Sequence, residues 1–259
     1  MRRINWRLAA ICGSLLFIMA LVVWSFTAPG TEREIGSYVT SLHGRTPAQI
    51  HNVTLATRSI NNIVLLPGQR FSFVKSVGTW TADRGYLKAP VSYDGELISD
   101  WGGGVCQASS TLYNAALLAG LKIVERHRHH WPARYAPPGR DAAVAYENID
   151  LSFVNTLPEP VRIVGSMQGD GLVYKIMSRY KPKVKVRIEQ ELRSVIRPSD
   201  VLQDWTTNGR GRWKLINRGH PGFYVVTYRR FTGPDGSHRE LVSEDRYPAM
   251  NRIVRVAER

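Results

Sequence analysis

Three consecutive glycines, Gly102, Gly103 and Gly104, stand just ahead of Cys106, and residues 106 to 119, CQASSTLYNAALLA, read as a helix that Gly120 stops. No other stretch constrains the fold as tightly. Glycines there let a backbone or a substrate come close, and Leu112, Ala115, Ala116, Leu118 and Ala119 are available for packing. A cysteine at a helix start meets unpaired backbone N–H groups and the positive end of the helix dipole, and both favour thiolate over thiol. The same N–H groups are placed to stabilise an oxyanion.

A nucleophile needs a base, and ERHRHHWPARYAPPGRD supplies His127, His129 and His130 only 21 to 24 residues later. In an extended segment His127 and His129 face one way and His130 the other. Asp141, just after the PPGRD turn, and Asp150 are the nearest carboxylates to orient an imidazole. The order Cys, His, Asp resembles that of papain-like and transglutaminase-like thiol enzymes, which implies a thiol-dependent acyl transferase or hydrolase. Two other readings stay open. Cys106, His127 and His129 with Asp141 are a possible zinc set, although no C-x-x-C or H-E-x-x-H spacing supports it. Alternatively, Cys106 is a small structural residue packed under the glycines.

The first seven residues, MRRINWR, carry three arginines, and residues 8 to 26 carry no charge. At about 1.5 Å per residue this run spans roughly the 30 Å hydrocarbon core of a bilayer. It predicts a single-pass anchor with a cytoplasmic N-terminus and an extracytoplasmic domain, and cleavage as a signal peptide is the rival reading. Cys12 falls inside the run, so export would leave Cys106 as the lone thiol in an oxidising compartment. The net charge of +14 favours an anionic neighbour such as membrane headgroups or a wall polymer. Nucleic acid fits the charge but conflicts with export. No cofactor and no protein partner is indicated.

Along the chain, residues 30–45 read as a polar stalk. Thr46 caps a helix that opens at Pro47, and Phe71 and Phe73 mark a short strand. Residues 76–100 read as loops and hairpins, LKIVERH as a strand, and AVAYENIDLSFVN as one or two strands. EPVRIVGSM and GLVYKIMSRY make a hairpin across Gln168 to Gly171. In RYKPKVKVRI, Arg179, Lys181, Lys183, Lys185 and Arg187 alternate, which in a strand gives one cationic face. A last hairpin turns at Pro234-Asp235-Gly236. The expected fold class is α+β: a transmembrane helix (1–29), the stalk (30–45), a mixed helix and antiparallel-sheet domain (46–180) and a small β-rich module (181–259).

The segments VGTWTADRGYLKAP and WGGGVCQASSTLYNAALLAGLKIVERHRHHWPARYAPPGRDAAVAYENIDLSFVN together resemble the VanW-like family, over roughly residues 46–167. The family's block marks Gly102, Gly103, Gly104, Cys106, Gln107, Ser109, Thr111, Leu112, Tyr113, Asn114, Glu125, Arg126, His129, Tyr135, Gly139, Asp141 and Ala142, and promotes His129 over its neighbours. The closing SEDRYPAMNRIVRV is similar to the last strand of a G5-type module. The resemblance implies a cell-envelope protein of Gram-positive-type bacteria linked with peptidoglycan and glycopeptide resistance. Within it, Cys106 is the candidate nucleophile and His129 the base, with Asp141 or Asp150 orienting it and Gln107 with the helix-start N–H groups on the oxyanion. Gly102, Gly103, Gly104, Ser109, Thr111, Tyr113, Asn114, Arg126, Tyr135 and Arg140 are candidates to line a groove for peptidoglycan or an attached anionic polymer. A non-catalytic wall-binding module would use the same groove.

Overall fold

The computed structural model describes residues 32–93, 96–145, 148–205 and 213–257. The predicted anchor at 8–26 and Cys12 lie outside them. Among the described residues no helix is long and apolar enough to cross a membrane. The expected α+β balance also needs correcting. Fifteen strands in five sheets stand beside three α-helices and one 3-10 turn, so the described chain is mostly β.

The first sheet has the order β1 (Arg33–Ser41), β9 (Gly171–Ser178), β8 (Val161–Gln168), β2 (Val64–Leu65), all antiparallel. Against it lie helices α1 (Pro47–Ile60) and α3 (Val105–Leu118), with Val53, Ala56, Ile60, Leu112, Ala116, Ile163, Tyr174 and Ile176 in one buried cluster. Helix α1 starts where Thr46 accepts from the Gln49 N–H at 3.2 Å and Gln49 Oε1 accepts from the Thr46 N–H at 3.1 Å, a reciprocal capping pair. Within the predicted stalk, residues 33–41 form strand β1. Its hydrophobicity is low because its inward polar atoms are used: Thr40 is buried and its hydroxyl lies 2.8 Å from that of Thr111 on α3.

A second sheet, β3 (Arg70–Ser72), β7 (Ser152–Val154) and β6 (Lys122–Glu125), runs beside the short helix α2 (Phe73–Val77). The hairpin β4 (Lys88–Tyr93) with β5 (Glu96–Trp101) leads into α3. Every residue of α3 from Gln107 to Leu117 is buried. A helix so enclosed must satisfy its own polar side chains, and it does so partly on its own backbone. Ser110 donates to the Cys106 carbonyl at 2.7 Å and Thr111 to the Gln107 carbonyl at 2.6 Å.

The C-terminal part holds two three-stranded sheets. One has the order β10 (Lys185–Ile196), β13 (Gly222–Gly233), β14 (Gly236–Tyr247), with the last two joined at the predicted Pro234-Asp235-Gly236 turn. The other has the order β11 (Asp200–Trp205), β15 (Arg252–Ala257), β12 (Trp213–Asn217), with β11 and β15 parallel. The alternating cations do not share one strand. Strand β10 begins only at Lys185, because Pro182 has no N–H to give a ladder, so Arg179, Lys181 and Lys183 fall before it.

Candidate thiol site

The three glycines are where helix α3 is wedged into its neighbours. Gly102 has φ +75° and any Cβ would meet the Trp80 ring, while a Cβ on Gly103 would sit 2.8 Å from the Ala89 and Pro90 carbonyl oxygens. Gly104, the N-cap, has φ +107°, and a Cβ there would lie 2.7 Å from the Gln49 carbonyl oxygen. Their role in the structure is close backbone approach, which fixes where the helix, and hence Cys106, begins. Gly104→Ala therefore lowers stability by at least about 1–3 kcal/mol for the left-handed backbone alone, read as a shift in urea midpoint. Gly68→Ala is the control, since Gly68 has φ +78° but nothing within 4 Å of the position a Cβ would take. Equal losses in both variants would show that the contact with Gln49 is immaterial.

Cys106 is half-buried at the first turn, and its thiol donates to the Val144 carbonyl at 3.4 Å. Its hydrogen-bonding side-chain neighbour is His129. On the other side of the imidazole, His129 Nδ1 lies 2.6 Å from Asp141 Oδ2, and the His129 backbone N–H donates to the same oxygen at 2.7 Å. Asp141 is fully buried, and its Oδ1 accepts from Arg126 Nη2 at 2.9 Å. The Tyr135 hydroxyl lies 3.4 Å from His129 Nε2, and the Arg45 guanidinium stands 5.0 Å over the Tyr135 ring. The chain thus brings Cys106, His129 and Asp141 into one line of contacts, with Nδ1 on the carboxylate and the imidazole reaching the sulfur.

The other candidates are dispersed. Asp150 accepts from Ser72 Oγ at 2.5 Å and from the Val74 N–H at 2.9 Å, so it caps α2 and does not orient His129. The Gln107 side chain points away to β1, giving hydrogen bonds to Thr40 Oγ1 at 3.0 Å and the Ser41 carbonyl at 2.8 Å, so the oxyanion role expected of it has no geometric basis. Ser109 and Ser110 donate to the Ala142 carbonyl at 2.5 and 3.2 Å, and Ser110 accepts from the Ala142 N–H at 2.8 Å, which ties α3 to the residue after Asp141. Asn114 donates to the Arg140 carbonyl at 2.6 Å and accepts from the Arg140 side chain, pinning the same turn. Thr111 and Tyr113 are fully buried, with Tyr113 at the floor of a cavity beside Arg126 and Asp245. His127 lies 3.1 Å from Glu125, and His130 meets the Trp131 ring edge to face. Among the described residues no group of three His, Cys, Asp or Glu side chains is arranged to hold a metal ion, and the zinc set is not assembled.

The electrostatics follow from this packing. Burial pushes the Cys106 thiol up, but the hydrogen bond and positive charge of His129 outweigh it and the net shift is below the ordinary 9.0. Burial pushes His129 down, yet Asp141 and Cys106 together hold it up at about 10. Burial also disfavours the charged Asp141, but its bond to His129 and the Arg126 charge bring it to about 2. Arg126 is held above its ordinary value by the acidic groups around it, despite burial. The two shifts run in the direction of a thiolate–imidazolium pair, backed by a carboxylate.

Two residues that the sequence reading missed complete the arrangement. Arg126 Nη1 donates to Asp245 at 2.6 Å, and the Tyr247 hydroxyl donates to Asp141 Oδ1 at 2.5 Å; both come from β14. The available signal is the period of two: Ser243, Asp245 and Tyr247 share one face of a strand, an acid and a phenol turned inward.

The VanW like protein family matches residues 48–177, the stretch that holds Cys106, His129 and Asp141. Uncharacterized protein YoaR of Bacillus subtilis is 37% identical over 170 residues, covering 62% of this chain and 56% of that protein. Vancomycin B-type resistance protein VanW of Enterococcus faecalis is 24% identical over 162 residues, covering 61% of this chain and 59% of that protein. The chain therefore spans little more than half the length of these relatives. Among solved structures, an IgA1 protease G5 domain aligns over 31% of this chain and 95% of its own, at 23% identity and a TM-score of 0.24. With the glycine, cysteine, histidine and aspartate block inside a match that covers half its length, the chain belongs to the VanW-like protein family.

Proposed function

We propose that this protein is an extracytoplasmic thiol acyltransferase or hydrolase acting on an amide or ester of peptidoglycan or of a polymer attached to it. The observation that carries the reading is the 2.6 Å contact of His129 Nδ1 with the buried Asp141 carboxylate, in an imidazole whose other partner is Cys106. The wall substrate rests on two supports: the Enterococcus relative, a vancomycin resistance protein by name, and the net charge of +14, which suits an anionic polymer.

In the reaction, the Cys106 thiolate adds to the carbonyl carbon, and the resulting oxyanion is met by the Cys106 backbone N–H, since the Val105 and Gln107 N–H groups are given to the Gly102 and Gly104 carbonyls at 2.9 Å. Collapse breaks the bond to the leaving amine or alcohol, which takes the proton from His129. The thioester on Cys106 is then attacked by water or a second amine, whose proton returns to His129, and the thiolate leaves. Asp141 stays ionised throughout and holds the imidazole by Nδ1.

Purified peptidoglycan fragments incubated with the protein test this. Wild type should convert them, and intact mass should show the acyl adduct on Cys106. Cys106→Ser should lose at least about a thousandfold of the rate, with an unchanged thermal midpoint and unchanged retention on wall fragments. Conversion by Cys106→Ala at the wild-type rate would end the proposal.

A further inference from the structure

We propose that the C-terminal sheet supplies a positioning residue to the thiol site: Tyr247, which fixes Asp141 from outside the stretch that the family match covers. The inference rests on the thiol chemistry proposed above and says what that chemistry needs from the rest of the chain.

Asp141 sits at the end of the Pro137–Asp141 turn, and the sheet β10–β13–β14 closes over that turn at several points. The Tyr247 hydroxyl donates to Asp141 Oδ1 at 2.5 Å and accepts from the Gly139 N–H at 2.8 Å, so one phenol holds both the carboxylate and the backbone two residues before it. Gly139 has φ +86°, and a Cβ there would lie 2.4 Å from Thr227 Oγ1 on β13, so the turn and the sheet meet with no room for a side chain. Gln190 on β10 donates to the Pro138 carbonyl. Asp245 takes one arm of Arg126 at 2.6 Å while the other arm takes Asp141 at 2.9 Å.

The division of the carboxylate is what gives this a functional meaning. Oδ2 is turned wholly to His129, accepting from its backbone N–H and lying beside Nδ1. Oδ1 is held by Arg126 and Tyr247. A carboxylate rotates about one bond, so fixing Oδ1 fixes Oδ2 and with it the imidazole plane. Arg126 grips Asp141 by Nη2 on Oδ1 and by Nε on the backbone carbonyl at 2.6 Å, but its charge is shared with Asp245, so the Tyr247 phenol is the donor on Oδ1 that no second carboxylate divides. The charged and titratable groups facing Asp141 include Arg126, His129 and Tyr247, with Cys106, Tyr135, Asp245 and Tyr113 beyond them. Burial lifts the Tyr247 phenol well above its ordinary value, so it stays a donor throughout the working range.

The test is Tyr247→Phe in the full chain, with the pH profile of Cys106 alkylation by iodoacetamide and the thermal midpoint measured together. Phenylalanine keeps the ring and removes the donor. The expected result is an alkaline shift of the Cys106 midpoint and an about tenfold fall in alkylation rate at pH 7, since hydrogen bonds to charged groups are the strong ones. A residue with a merely structural role would lower the melting temperature and leave the pH profile of the folded protein unmoved, and that outcome overturns the inference. If Tyr247→Phe fails to fold, Asp245→Asn tests the shared charge on which the inference rests: with Arg126 left wholly to Asp141, the Cys106 midpoint should stay in place or fall, and an alkaline shift overturns the inference. A wild-type Cys106 that titrates at or above 9.0 would defeat the thiol reading itself, and this inference with it; a depressed wild-type midpoint that Tyr247→Phe leaves in place defeats only the inference.

Discussion

Replacing His129 by alanine should carry the Cys106 thiol from below its ordinary 9.0 to above it, because His129 is the group that outweighs burial at that sulfur. Each unit of that change is about a tenfold loss of thiolate at neutral pH, so iodoacetamide should label the variant at least about a hundredfold more slowly at pH 7. The same change removes a pH dependence of stability. His129 is held at about 10 against an ordinary 6.5, so the stabilisation of its charged form is complete below 6.5 and is lost as pH rises through about 10. The thiolate runs the other way: its stabilisation is present above 9.0 and is lost as pH falls through its depressed value. Urea midpoints in wild type should therefore hold level between about pH 6.5 and 9.0, where the two contributions offset, and fall as pH rises through about 10, whereas in His129→Ala the fall above 9.0 comes from the buried thiol alone. Equal alkylation profiles in the two proteins would mean that the imidazole does not act on the sulfur.

Asp141→Asn should be the most destabilising conservative change in the chain. It leaves a buried Arg126 with half its counter-charge and takes from His129 its only carboxylate partner among the described residues. Breaking a buried, hydrogen-bonded charge pair costs about 3–5 kcal/mol, measurable by urea unfolding at pH 7. Asp141 is held at about 2 against an ordinary 3.8, so its contribution is present above 3.8 and is lost as pH falls through about 2. The gap between wild type and variant should hold steady at neutral pH and close between pH 4 and 2. Asp150→Asn is the informative comparison. As a cap on α2 it should cost about 0.5–2 kcal/mol and leave the alkylation profile of Cys106 alone. A loss below about 1 kcal/mol for Asp141→Asn would contradict the buried network.

The parts that short-range rules govern were readable from the residues. Thr46 and Pro47 announced α1, the glycines and Gly120 bracketed α3, and Pro234-Asp235-Gly236 marked the β13–β14 hairpin. Cysteine at a helix start, with histidine and aspartate in order behind it, gave the pieces of the site. Other decisions rest on long-range contacts that no local pattern encodes. Asp141 and Asp150 are alike in sequence, and only the fold sends one to His129 and the other to Ser72 and the Val74 N–H. Gln107 sits in the first turn of α3, yet its Nε2 is given to β1, a strand whose polar inward face hid it as a stalk. Of the alternating cations, only Lys185 and Arg187, beyond Pro182, lie on a strand. Tyr247 reaches Asp141 across 106 residues of chain, a separation at which sequence spacing carries no information.

That separation also sets an order of events in time. A polypeptide leaves a ribosome or a translocation channel N-terminus first, so the cysteine, its histidine and Asp141 emerge well before the strand that carries Tyr247. At about 5–20 residues per second, the 106 residues between Asp141 and Tyr247 take roughly 5–20 s to follow. During that interval the nascent thiol lacks the phenol that holds its aspartate, and the sulfur matures last, after the chain that surrounds it has been made.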